Sequence, residues 1–555
     1  MDSMDLERER GITIAAKNCS VRWNEVKINI LDTPGHADFG GEVERALLMV
    51  DGVILLVDAA EGPLPQTRFV LSKALAARKA IIAVVNKIDR SDARAAEVLN
   101  SIYDLFIDLD ATEEQLDFPV LYAIGRDGIA QRKLDERGTN LEPLFETIVE
   151  HVPPPSFDPA KPFQMLVTNL TYSEYLGRLA VGRVYHGVAR KNEKLACIGE
   201  NGTPRPLRAV KLQVYQGIQF AEIEEATAGE IVIVAGVEDV AIGDTICLIE
   251  NPQPLPRITV DEPTISMKFM ANTSPFSGRE GKFVHPQKIR DRLQREALHN
   301  VALRIEDIPG EDSITVRGRG EFQMAILIET MRREGFELCV GRPQIIMREE
   351  NGVSLEPIER VLVDCEETHI GIVTEKLALR KGKMVNMVNH GSGRVRLEFD
   401  VPSRGLIGYR GDFLTDTRGT GLMSSYLHGY EPYRGEITSR STGSLIADRE
   451  GEANPYAIFN LQPRGYMFVQ PGDPVYEGMI VGEHNRDNDL NVNICREKKL
   501  TNIRAAGRDE NVVLTPVTPL TIERALEFIR DDEFVEVTPK SIRMRKTVLP
   551  ANKRS

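Results

Sequence analysis

Hydrophobic and polar positions follow three rhythms along the chain. In the first 150 residues, short unbroken apolar runs, VILLVDA (53–59) and IIAVVNK (81–87), flank QTRFVLSKALAARK (66–79), whose period is helical. Unbroken runs of this length are what parallel strands buried on both faces require. VRWNEVKINILD (21–32) predicts a hairpin, SDARAAEVLNSIYDLFIDL (91–109) a helix capped by Ser91, and FPVLYAI (118–124) a further strand. Strand–helix alternation predicts a doubly wound α/β domain over residues 1–152.

HVPPPSFDPAKP (151–162), with five prolines in twelve residues, breaks that rhythm and reads as a stiff linker. Over 153–256, short strands with glycine turns (GRLAVGRVYHG, GEIVIVAG, GDTICLI) predict a small β-barrel. Over 257–350, the amphipathic helices IRDRLQREALHN and EFQMAILIETMRREG lie between strands, the pattern of an α+β domain. A second α+β unit is expected over 351–438: strand ERVLVDCEE, helix HIGIVTEKLALRKG ending at Gly382, strand GRVRLEFDVP, then the glycine-dense RGLIGYRGDFLTDTRGTG. Residues 439–555 read as a final mixed domain.

Length and composition agree. A chain of 555 residues exceeds one hydrophobic core, so several domains are expected. No apolar run reaches the ~18 residues of a membrane span. Six cysteines lie far apart with no C-x-x-C pair, which fits reduced thiols in a cytoplasmic protein rather than disulfides or a zinc site. The net charge of −14 argues against a coat of non-specific DNA contacts, so any nucleic acid must meet a local basic patch.

Three stretches of the first domain carry chemistry. DTPG (32–35) directly follows an apolar strand. A carboxylate there points into the crevice where parallel sheets bind ligands, so Asp32 is placed to hold water of a Mg²⁺ shell. Gly35 offers its N–H to a terminal phosphate, and His36 stands where it could orient an attacking water. A plain strand-ending turn has the same spacing. NKID (86–89) follows the IIAVV strand. Asp89 can accept from the ring N–H and exocyclic amine of guanine, a donor pair adenine lacks. Asn86 can brace the site, and the stem of Lys87 can lie along the ring. In GIT (11–13), Thr13 either offers its hydroxyl to Mg²⁺ or caps the neighbouring strand. ERER (7–10) reads as a solvated edge, and Ile54 as core. The run G-x-x-x-x-G-K-[ST], which cradles phosphates, occurs nowhere in the 555 residues.

Taken together, ERERGITIAAKN, NILDTPGHADFGGEVERALLMVDGVILLVDAAEGPLPQTRFV, VNKIDR, QLDFPVLYA, NLTYSEYLGRLAVGRVYHG, SRGLIGYRGDFLTDTRGTG and KKLTNIRAAGRDENVVLTP resemble the translational GTPases, the family of elongation factor G, and within it the BipA/TypA branch. The resemblance implies a multidomain fold: an α/β P-loop GTPase-like domain lacking its first strand, phosphate loop and first helix, a β-barrel, two α+β ferredoxin-like domains and a mixed C-terminal domain. It matches Thr13 and Asp32 to metal-shell residues, Gly35 to the phosphate-sensing glycine and His36 to the histidine that positions water. Asn86, Lys87 and Asp89 match the guanine motif. Relatives start earlier, so Met1 reads either as an internal methionine or as the start of a truncated gene. The absent strand belongs between the DTPG strand and VILLVDA. Without it, those strands face a gap and the domain is expected to be unstable alone and poor at hydrolysis. Relatives carry Ser-Ala or similar where this chain has Ile124 and Gly125. Gly125 still presents an N–H toward the base, but Ile124 has no hydroxyl to brace the turn.

For partners, the basic stretch REKKLTNIRAAGR, with Lys498, Lys499, Arg504 and Arg508, reads equally as a solubilising surface or as an RNA-tracking loop. IRMRK (542–546) adds charge, and Arg404, Arg410 and Arg418 are either contacts or turn residues. The resemblance implies a monomeric ribosome-associated GTPase using GTP/GDP and Mg²⁺. It would meet both ribosomal subunits, 50S and 30S, ribosomal RNA and A-site tRNA, and act in 50S assembly and translation under stress. The alternative is a ribosome- or tRNA-binding protein with little GTP hydrolysis.

Overall fold

The computed structural model describes residues 5–10, 13–35, 39–158, 160–173, 177–237, 240–258, 262–300, 302–307, 311–389, 393–437, 440, 442–497, 514–517 and 519–554. The chain divides into two compact units, residues 1–261 with 298–302, and residues 262–297 with 303–555.

The first unit begins with helix α1 (Asp5–Arg10) and the hairpin β1 (Lys17–Trp23) and β2 (Val26–Asp32). After α2 (Gly40–Met49) comes β3 (Gly52–Asp58), then α3 (Pro65–Ala76), β4 (Ala80–Asn86), α4 (Ala95–Asp108), the short α5 (Glu113–Leu116), β5 (Val120–Ile124), β6 (Ile129–Gln131) and α6 (Glu142–His151). Strands β3, β4 and β5 are parallel in that order, and β6 closes the sheet antiparallel. The apolar run of β4 is buried on both faces because each face has its own helices. Ala83 and Val85 pack with Val43 and Leu47 of α2, Leu71 of α3 and Ile102 of α4. Ile82 and Val84 pack with Leu121 beneath Leu144 and Ile148 of α6.

β3 departs from the expectation of full burial. Leu55 and Val57 are buried, but Ile54 is 39% and Leu56 62% exposed. They pair in register with Ile82 and Val84, on the α6 face, and α6 does not cover them. Ile54 is therefore not a core residue. Among the described residues β3 is an edge strand, and the β1–β2 hairpin shares no ladder with it.

The hairpin is held elsewhere. Ser20 and Gly217 exchange backbone hydrogen bonds of 3.0 Å, and Trp23 stacks on Phe145 of α6 at 5.2 Å. Gly217 belongs to the next layer, an eight-stranded antiparallel sheet between Gln164 and Leu248 that wraps a core of Met165, Val167, Leu195, Leu212, Val232 and Ile246. The end of α2 is bolted to this barrel. Met49 packs with Val181, Ile231 and Ile233, Tyr185 donates its hydroxyl to the Leu48 carbonyl (2.7 Å), and Arg183 pairs with Asp51 (2.6 Å).

In the second unit, the sheet of the 257–350 segment does not end with that segment. Strand Leu338–Val340 pairs antiparallel with Glu533–Val537, and the ladder continues through Ile542–Lys546, Met479–His484, Ser444–Ala447 and Leu490–Val492 into a single eleven-stranded sheet. IRMRK is thus an internal strand. Arg543, Arg545 and Lys546 are all buried, Arg543 against Glu536 and Glu280, and Lys546 against Asp489, Asp532 and Glu533. The basic run is not a docking surface, because its charges are turned into the sheet, where acids answer Arg543 and Lys546.

Residues 348–432 form a separate five-stranded antiparallel sheet with helices Ile370–Leu379 and Tyr409–Asp416 packed on Val361, Val363, Leu397 and Phe399. Arg404, one of the three candidate contact arginines, turns inward here. It forks onto Glu356, whose side chain is fully buried, and stacks on Tyr433 at 4.4 Å. Arg410 lies over Phe322 at 5.8 Å, and Arg418 occupies a turn with φ +52°.

Arg404→Ala is expected to destabilise the second unit by about 3–5 kcal/mol, because it strands a buried carboxylate. Urea unfolding checks this, and Glu356→Gln combined with Arg404→Met should recover most of the loss.

Candidate functional site

The carboxyl ends of β3, β4 and β5 lie side by side, with Asp58 opposite Asn86 and Asn86 opposite Ala123. Ligands of open parallel sheets bind beyond such ends. One atom organises the edge. Asn86 Oδ1 accepts from the backbone N–H of Lys87 at 2.9 Å and from that of Gly125 at 2.9 Å. The first bond turns the chain sharply, and Lys87 adopts the left-handed region at φ +62°. That conformation is uncommon for a residue with a Cβ and persists only where its surroundings over-determine it. Lys87 Nζ then reaches back to Asp58 Oδ2 at 2.8 Å, and Asp58 further accepts from the N–H of Ala60 (2.8 Å) and from Arg90. Burial opposes charge on Asp58. The hydrogen bond from Lys87 and those from Ala60 and Glu61 outweigh it and hold the carboxyl below its usual range.

The second bond corrects one expectation. The Gly125 N–H does not face outward for a base, because it is donated to Asn86. A Cβ at Gly125 would come within 3.2 Å of the Asn86 amide, so glycine suits this close approach. The brace that Ile124 cannot give comes from Asn86. The turn Gly125–Asp127 is then completed by Gly128 in the left-handed region. Asp89 stands on the loop just beyond, half-exposed, with Arg126 Nη2 3.5 Å from its Oδ2. Sequence reasoning missed both Asp58 and Arg126. Asp58 was detectable as the last residue of VILLVD, aligned with Asn86 by the parallel register.

The remaining candidates lie on the hairpin side. Asp32 ends β2 opposite Lys17, and Thr13 precedes β1, half-buried. Glu7 is buried rather than solvated. Its Oε1 accepts from the N–H groups of Ile14 (3.0 Å) and Ala15 (3.3 Å), and its other oxygen pairs with Lys17. These donors hold its carboxyl below the usual range despite burial, and they tie α1 to the segment bearing Thr13. Gly35 meets the start of α3, where a side chain would approach Gln66 Oε1 to 3.3 Å. Asn86, Lys87, Asp89 and Gly125 therefore share one edge with Asp58, whereas Thr13 precedes and Asp32 ends a hairpin that, among the described residues, has no ladder to that sheet. His36, Lys498, Lys499, Arg504 and Arg508 lie outside the described residues. Among the described residues no three His, Cys, Asp or Glu side chains converge as a metal cage. Thr13 and Asp32 are hard oxygen donors of the kind Mg²⁺ takes one or two at a time.

Family models match in order along the chain: the elongation factor Tu GTP-binding domain over residues 1–154, elongation factor Tu domain 2 over 177–247, the elongation factor G C-terminus over 353–441 and the TypA/BipA C-terminal domain over 442–551. The chain is 49% identical, across its whole length and 91% of the relative's, to the large ribosomal subunit assembly factor BipA of Bacillus subtilis strain 168. It is 51% identical, with the same coverage, to that of Escherichia coli K12. A crystal structure of a protein from Thermus thermophilus superposes with a TM-score of 0.52 at 16% identity, covering 78% of this chain and 91% of that one, a likeness of fold.

Asn86→Ala is expected to release both backbone donors, costing about 2 kcal/mol at roughly 1 kcal/mol per bond. It should also speed amide exchange at Lys87 and Gly125, read by hydrogen exchange. Asp58 gives a pH signature. Its folded pKa lies below the unfolded value of about 3.9, so its contribution is complete above that pH and is lost as pH falls through the folded value. Asp58→Asn should therefore lower stability at pH 7 and flatten the acid limb of a urea-unfolding series.

Proposed function

Because this chain belongs to the BipA family of translational GTPases, we propose that it is a cytoplasmic, ribosome-associated GTP hydrolase acting in assembly of the large ribosomal subunit and in translation under stress. The observation that carries the reading is the Asn86 brace. It fixes the loop bearing Asp89 at the carboxyl edge of the sheet, where an acceptor carboxylate selects guanine by its paired N–H donors.

Around that base, each residue has a distinct task. Asp89 accepts from guanine, Asn86 holds the loop, and Gly35 gives its N–H to the terminal phosphate. Thr13 and Asp32 would hold Mg²⁺, which when bound neutralises phosphate charge. His36 orients the attacking water, and hydrolysis proceeds without a covalent intermediate. The partners that fit are the 50S and 30S subunits, ribosomal RNA and A-site tRNA. Lys498, Lys499, Arg504 and Arg508 would follow RNA phosphates, and the protein would act as a monomer.

Two measurements test this reading. Asp89→Asn should weaken guanosine nucleotide binding at least tenfold and improve xanthosine nucleotide binding, since xanthine replaces the exocyclic amine by an acceptor; unchanged preference would remove Asp89 from the site. Assayed with purified ribosomes, the protein should sediment with them and show GTP turnover that the ribosomes stimulate; sedimentation with no stimulated turnover would overturn the hydrolase reading.

A further inference from the structure

We infer that the strand Lys383–Asn389 is a docking edge for an extended, acid-bearing protein segment of the large ribosomal subunit, an inference that rests on the ribosome reading above. Among the described residues the strand pairs on one side only, with Arg394–Pro402, and ends the order of its five-stranded sheet. All seven of its residues are exposed, among them Met384 (43%), Val385 (48%), Met387 (53%) and Val388 (39%). The neighbouring helix Ile370–Leu379 extends the apolar rim with Leu379, 71% exposed.

Such an edge is a template for strand pairing, and proteins ordinarily blunt it with charge, proline or a covering element. Here a register shift between Met384 and Asn386 interrupts only the entry end, and Asn386–Asn389 continues in regular register. From Met384 to Asn389 there is no charge and no proline. Methionine side chains adapt to an incoming surface at little cost.

The row of backbone donors and acceptors selects the occupant's class. An extended polypeptide fills it by adding a strand, whereas RNA has no such ladder and would look for cations that Met384–Asn389 lack. Charge selects further. Arg380, Lys376 and Arg394 are spent on Asp412, Asp416 and Asp364. Among the described residues, Lys381 and Lys383, both exposed where the strand begins, hold no ion pair and call for carboxylates on the partner. A second copy of this chain is a poor occupant, because each copy carries a net charge of −14.

The test places a photo-crosslinker, p-benzoylphenylalanine, at Met387 of the full chain and irradiates it with purified large ribosomal subunits, with pelleting of the complex followed in parallel. The expected result is an adduct with one ribosomal protein, reduced at least tenfold by Met384→Lys with Val388→Lys, while the melting temperature and circular dichroism of that variant stay unchanged. An adduct with ribosomal RNA, an adduct between two copies of the chain, or no adduct while the chain still pellets would each overturn the docking edge and leave the ribosome reading standing. Failure to pellet would overturn both.

Discussion

One side-chain oxygen, Oδ1 of Asn86, carries the loop end of the first domain. By accepting from Lys87 and Gly125 it fastens the chain leaving β4 to the chain leaving β5. Each bond alone is worth about 1 kcal/mol, but together they remove the independence that connecting loops normally keep. The left-handed Lys87, its bridge to Asp58 and the tight approach of Gly125 all follow from that one acceptor. A shorter or apolar side chain at this position would leave Asp89 on a loop with no fixed direction.

Much of this architecture is legible in the chain. Unbroken apolar runs announce β3 and β4, and the proline cluster announces the passage to the barrel. The errors have a common physical origin. IRMRK, Arg404 and Glu7 of ERER read as surface because charge normally seeks water. In each case acids or cations far away in sequence or across a turn, Asp489 and Glu533 for Lys546, Glu356 for Arg404, Lys17 for Glu7, allow burial. Pairing of this sort is set by tertiary approach and leaves no local pattern. Ile54 fails for the opposite reason. Its run has the composition of a central strand, but composition does not say whether a neighbour is present.

The position of α2 gives the first unit a mechanical axis. The helix starts five residues after Gly35 and ends at Met49, wedged into the barrel wall beside the Arg183–Asp51 pair. Ten residues of helix span about 15 Å. Over that distance a hydrogen-bonded rod runs from a point five residues past Gly35 to the face of the next domain. The hairpin adds a second tie through Ser20 and Gly217.

The shared sheet of the second unit imposes an order on biosynthesis. Leu338 finds its ladder partner, Val537, about two hundred residues later. At roughly 5–20 residues per second of synthesis, that interval lasts about 10–40 s. During it the nascent Leu338–Val340 edge stands open. The sheet of this half of the molecule therefore closes late, and until it does the growing chain carries an unpaired edge of the kind that chaperones at the exit of the ribosome shield.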